Sequence, residues 1–209
     1  IYNNRSINQE IIMGTPTILW QPTDAEIENS ELTNFAHWVQ KNHGFDWQKR
    51  YEDLWHWSVE HSDLFWKSIW EWHGVVGDSG ERLLINKDKM PGAQFLPDAT
   101  LNFAENLLQN SDSHIAISSH HEDGRIDQLS RKELKENVLA LAGWMQSQGV
   151  SKGDRIAAYI PNISQAVVTM LAAASLGAIY SSCSPDFGFN GVFDRFIQIE
   201  PKLLITCLL

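Results

Sequence analysis

Residues 153–207 read GDRIAAYIPNISQAVVTMLAAASLGAIYSSCSPDFGFNGVFDRFIQIEPKLLITC, and this stretch decides the fold. Three short apolar runs, at 156–160, 178–183 and 203–207, are separated by two segments of helical length. Runs this short between turn residues suit buried strands, and their alternation with helices suits a parallel sheet. Ser151-Lys152-Gly153 turns the chain into the first strand, and Pro161-Asn162 closes it. Asn162 or Ser164 is placed to cap the helix that follows. Gly177 stands where that helix needs a left-handed stop. The pattern is β-α-β-α-β, the crossover unit of an open doubly wound sheet.

In such sheets ligands gather outside the carboxyl ends of the strands. The turn after the second strand, Ser184-Pro185-Asp186-Phe187-Gly188, leaves such an end, and its small residues let a ligand approach the backbone. A tight strand-to-helix connection with no ligand is the alternative reading. No GxGxxG fingerprint accompanies the unit, which counts against a dinucleotide-dependent reductase. Walker A, GxSxG and HExxH are absent as well.

Toward the N-terminus, Ser130 and Glu133 form a capping box, and Leu134, Val138, Leu141, Ala142 and Met145 make an apolar stripe ending at Gly149. Residues 115–119 and 125–129 read as a hairpin around Glu122-Asp123-Gly124. Asn102 and Glu105 form another capping box, and residues 74–100 read as loop. Before them lie four short helices. Thr23 to Glu26 is a capping box, Ser30 caps the second, Asp46 the third and Ser62 the fourth. Their expected inner faces are Leu32, Phe35, Ala36 and Val39; Tyr51, Leu54 and Trp55; and Phe65, Trp66, Ile69 and Trp70.

Seven of the nine tryptophans lie between Trp38 and Trp72. They could form a stacking platform for bases or sugars. Indoles at helical spacing also bury large areas in a helical subdomain, and this reading is preferred because no basic stripe runs with them.

Composition narrows the function classes. The chain has 209 residues, 43% hydrophobic and 20% charged, which is ordinary for a globular protein. A net charge of -10 with no basic stripe argues against nucleic acid. Cys183 and Cys207 are expected to be thiols of a reducing, cytoplasmic compartment. The eight histidines are scattered, and no metal-ligand spacing occurs. The apolar run 166–183 is bracketed by Pro161 and Pro185 and interrupted by Gly177, so no membrane span is expected.

The run PNISQAVVTMLAAASLGAIYSSCSPDFG resembles the N-terminal domain of the adenylate-forming acyl-CoA synthetases. SSCSPDFG with DRFIQIEPKLL is similar to their acetoacetate-activating branch. YEDLWHWSVEHSDLFWKSIWEW and PGAQFLPDATLNFAENLL resemble the leader region of the same branch, so the likeness runs from about Ile18 to Cys207. It implies an α/β fold: an N-terminal helical subdomain followed by part of a doubly wound, mostly parallel sheet. Residues 1–17 would be a leader, 18–110 a tryptophan-rich helical region, and 111–209 the first part of an adenylation domain.

The resemblance also implies chemistry. A carboxylate is a poor electrophile because its leaving group would be oxide. In the family it attacks the α-phosphorus of ATP, with Mg²⁺ present, giving an acyl-adenylate from which the coenzyme A thiol takes the acyl group. Acetoacetate, ATP and CoA are the implied small-molecule partners, with acetate or propionate as alternative acids. A non-catalytic interaction domain of the same fold is the rival from another class. In relatives the loop matching Ser184, Pro185, Asp186, Phe187 and Gly188 lies beside bound CoA. Only Phe187 matches the acetyl-type pattern directly; Ser184, Pro185 and Asp186 replace glycines. The family's Ser/Thr/Gly-rich phosphate loop and its C-terminal lysine have no counterpart here. The chain is therefore expected to be an N-terminal portion without catalytic residues, inactive alone and able to self-associate through an open sheet edge.

Overall fold

The computed structural model describes residues 18–207. The expected leader at 1–17 lies outside them. The chain divides into two compact units, one running to Ser68 and the other starting at Ile69.

In the first unit, α1 (Asp24–Glu28) begins with the full Thr23/Glu26 capping box. The next helix, α2 (Glu31–His43), is capped by Ser30, whose side chain accepts from the Thr33 amide, and stops at Gly44 with φ +67°. Phe35, Ala36 and Val39 are buried as expected, but Leu32 is exposed. For α3 (Tyr51–Glu60) the expected cap is corrected. Arg50 occupies the N-cap without a side-chain bond, and Asp46 instead accepts from the Gln48 side chain. The inner face of α3 is Leu54 and Trp57, three apart, while Tyr51 and Trp55 face out. Spacing alone could not choose between two adjacent stripes on so aromatic a helix.

Ser62 is the first residue of α4 (Ser62–Trp72) rather than a residue before it, and Trp66 on that helix is exposed. Trp57 lies against Phe45 and meets Phe65 edge-on, and Phe65 also meets Phe35 edge-on. Such aromatic pairs add about 0.5–1.5 kcal/mol beyond the area they bury.

The second unit opens with two short antiparallel ladders in the stretch expected to be loop. They are β1 (Gly77–Asp78), β2 (Leu84–Ile85), β3 (Gln94–Phe95) and β4 (Thr100–Leu101), paired β1 with β4 and β2 with β3. Two-residue strands carry no periodicity, so no sequence pattern marks them. The short α5 (Phe103–Leu107) is capped by Asn102, though only the forward half of the expected box forms. The Asn102 amide nitrogen donates to Ala174 and Ser175 carbonyls, and so covers the far end of a later helix.

A hairpin of β5 (Ile115–His120) and β6 (Ile126–Ser130) follows, and Ser130 with Glu133 starts α6 (Arg131–Ser147) through a complete capping box. Leu134, Val138, Ala142 and Met145 form its buried stripe.

The decisive stretch then gives β7 (Arg155–Tyr159), α7 (Ser164–Ser175), β8 (Ile179–Cys183), α8 (Phe189–Ile199) and β9 (Leu203–Thr206). The sheet order is β8-β7-β9, and both pairings are parallel. The expected α7 caps are corrected: Ile163 sits at the N-cap with no side-chain bond, and Ser164 already lies inside the helix. Gly177 does supply the stop at φ +68°, where an added Cβ would also lie 3.1 Å from the Lys152 side chain.

With β8 on one side of β7 and β9 on the other, the two crossovers run in opposite directions. A common right hand then puts α7 and α8 on opposite faces. Burial agrees. Ile156 gathers with Val168, Leu171 and the α6 stripe, whereas Ala157 gathers with Cys183 and Phe196. This is the doubly wound α/β arrangement.

At the amino ends of the strands a polar clasp ties the register. Lys202 Nζ donates to the Gly149 carbonyl at 2.6 Å and to Asp154 at 2.8 Å. Asp154 also accepts from the backbone and hydroxyl of Ser151. The Lys202 ammonium, followed by the Ser151 amide, holds the Asp154 carboxyl at about 2, below its ordinary 3.8. A depressed carboxyl stabilises the fold fully above the unfolded value and loses that effect as pH falls through the folded one. Asp154→Asn is therefore expected to lower the urea midpoint at neutral pH. Denaturation followed across pH 2–7 should show the difference between the two proteins vanishing as pH falls from about 3.8 to about 2.

Candidate functional site

Ser184 to Gly188 lies at the carboxyl end of β8, between that strand and α8. Its shape is set by its own chemistry and by two residues from elsewhere. Ser184 Oγ donates to Asp186 at 2.8 Å, and the Phe187 amide donates to the Ser184 carbonyl at 3.2 Å. These short-range bonds fold the loop into a turn. Gly188 takes the N-cap of α8 with extended backbone, and no side chain caps there. A Cβ added at Gly188 would meet nothing within 4 Å, so this backbone is open to an approaching group.

The two outside residues were not legible as site residues in the sequence. Tyr159, the last residue of β7, sends its hydroxyl under the loop, 3.0 Å from both the Pro185 and Phe187 carbonyls. Arg195, from the second turn of α8, lays its guanidinium 4.1 Å from the Phe187 ring centroid, with one nitrogen donating to the Gly191 carbonyl at 3.0 Å. The available signal was positional. Strand parity puts Tyr159 on the same side as Ala157, toward α8, and Arg195 lies one helical turn beyond Gly191. Phe187 remains 42% exposed, beside the open Gly188 backbone.

What the loop presents outward is the open backbone at Gly188 and the exposed part of the Phe187 ring. It offers no acid–base dyad. Among the described residues no group of three or more His, Cys, Asp or Glu is placed to hold a metal ion. His121 bonds Asp127 at 2.8 Å on the hairpin. Cys183 is buried, Cys207 half-buried, and both are free thiols. No helix among the described residues is long and apolar enough to cross a membrane.

Residues 103–208, half of the chain, match the AMP-binding enzyme family, and the chain belongs to it. Among curated relatives, acetoacetyl-coenzyme A synthetase of Rhizobium meliloti (strain 1021) is 43% identical over 90% of this chain and 29% of its own length. Acetoacetyl-CoA synthetase of Xenopus tropicalis is 38% identical over 90% of this chain and 28% of its own. Malonamoyl-CoA synthetase of Penicillium aethiopicum is 36% identical over 92% and 27%. The solved acetoacetyl-CoA synthetase of Streptomyces lividans superposes with a TM-score of 0.82 at 39% identity, covering 91% of this chain and 30% of that one. The chain thus spans under a third of the length of the relatives it matches.

Replacing Arg195 with Met removes the cation from the Phe187 ring while keeping a long apolar stem. A partly exposed contact of this kind contributes about 0.5–1 kcal/mol. Hydrogen exchange should accelerate at residues 184–189, with little change in melting temperature.

Proposed function

We propose that this chain is the N-terminal portion of an ATP-dependent acid–CoA ligase that converts acetoacetate, ATP and CoA to acetoacetyl-CoA, AMP and pyrophosphate through an acyl-adenylate. The observation that carries this reading is the likeness to acetoacetyl-CoA synthetases over nine tenths of the chain, in sequence and in fold. In the complete enzyme ATP, with Mg²⁺, supplies the phosphorus that converts the carboxylate oxygen into part of a leaving group. This chain's own contribution is structural. Residues 111–209 open the adenylation domain, and residues 18–110 form its leader region. Ser184, Pro185, Asp186, Phe187 and Gly188 form the rim against which CoA lies. Two free thiols support a cytoplasmic setting.

The relatives' names bear on the acid. Acetoacetyl and malonamoyl groups share a carbonyl two carbons from the activated one and differ in a methyl against an amino group. We read the substrate class as such 3-carbonyl acids, with acetate and propionate as the rival class. A complete protein carrying this chain should turn over acetoacetate, and malonamate to a lesser degree, in preference to acetate in a thioester-forming assay. Preference for acetate would overturn the assignment. The 209-residue chain by itself should give no acetoacetate-dependent ATP–pyrophosphate exchange; any exchange above the no-enzyme rate contradicts this.

A second copy of the chain is the proposed partner of its open side. β9 pairs with β7 along one edge. Beside it Leu204 and, on α8, Phe189, Phe193 and Ile197 are all more than half exposed. Antiparallel pairing of two β9 edges about a two-fold axis would bring both α8 faces together on one side of the joined sheet. Light scattering should report dimers that weaken on Phe193→Glu. A concentration-independent monomer would rule the pairing out.

A further inference from the structure

We propose that Tyr159 is a positioning residue for coenzyme A, an inference that rests on the reading of Ser184–Gly188 as the CoA-side loop. The phenol is anchored at its root. Tyr159 ends the central strand, pairs in register with Cys183 and Thr206, and packs with the cluster of Ala157, Cys183 and Phe196. Its hydroxyl is therefore carried by the central strand, bonded on both edges, to the loop that follows β8. There it is shared between the Pro185 and Phe187 carbonyls, 3.0 Å from each.

One hydroxyl hydrogen serves two acceptors, so its energetic worth is modest, but its geometric effect is specific. Both carbonyls are turned toward the sheet. The backbone around Gly188 is left facing open space rather than collapsing onto β7. The Arg195 guanidinium lies over the Phe187 ring. The loop is thus clamped at two carbonyls and one ring before any ligand arrives. Preorganisation of this kind lowers the ordering cost of binding. No part of Tyr159 need touch the ligand.

The effect should fall on the CoA step and spare the formation of the adenylate. In the complete gene product carrying this chain, Tyr159→Phe keeps the ring packing and deletes the two bonds. The KM for CoA in thioester formation should rise about tenfold, the cost of one lost hydrogen bond. Acetoacetate-dependent ATP–pyrophosphate exchange should stay within about twofold. Tyr180→Phe, which removes a phenol from β8 away from the loop, should change neither quantity. An unchanged KM for CoA in Tyr159→Phe overturns the proposal, and so does a parallel loss of exchange, because a purely structural role would depress both. A parent enzyme that forms no CoA thioester at all would instead overturn the underlying reading of the loop. Those outcomes are separable in one set of assays.

Discussion

The burial of β7 on both faces is the constraint on which the α/β unit depends. Ile156, Ala157 and Ala158 are fully buried, and the strand is bonded on both edges. A strand in that position has no side that tolerates a charge or a proline, and its side chains must suit a different helix on each face. Alternation meets the demand here. Ile156 is large and fills the layer shared with α6 and α7, while Ala157 is small and admits Phe196 of α8. Tyr159 is the exception at the end of the run, with its ring in the core and its hydroxyl at the rim.

From that strand the positions of the other parts follow. Two parallel pairings in opposite directions require two crossovers, hence helices on both faces and a carboxyl rim where β7, β8 and β9 all end. The rim is built of turn chemistry and small residues because it joins the edge strand β8 to a helix within five residues, Ser184 to Gly188. The amino ends are closed differently, by the charged clasp of Lys202, Asp154 and Ser151. The structure thus places a charged clasp at one end of the sheet and the clamped Ser184–Gly188 loop at the other. In open α/β sheets it is the carboxyl rim that ligands meet.

The N-terminal helices illustrate where local signals suffice and where they fail. Caps with a hydroxyl and a well-spaced glutamate, at Thr23 and Ser130, form as read because every partner lies within one turn. Asp46 fails because four residues, Trp47 to Arg50, intervene before the helix begins at Tyr51, and the chain bends among them at Lys49, where φ is +62°. Asn102 does cap α5, yet its amide nitrogen is spent on the carbonyls of Ala174 and Ser175, more than seventy residues away. On α3 spacing does not place the apolar stripe, because Trp55 and Trp57 are chemically equivalent and only the neighbours Phe45 and Phe65 decide which one is buried.

The sequence by itself determined the three strands, the two intervening helices, the stop at Gly177 and the loop at 184–188, since apolar period, glycine placement and turn residues are all local properties. Family likeness came from the same contiguous stretches. Only the tertiary structure decided the order β8-β7-β9, the faces on which α7 and α8 lie, and the convergence of Tyr159 and Arg195 on the loop. Those features join residues far apart along the chain, and no spacing rule records a contact whose two ends are brought together by the packing of everything between them.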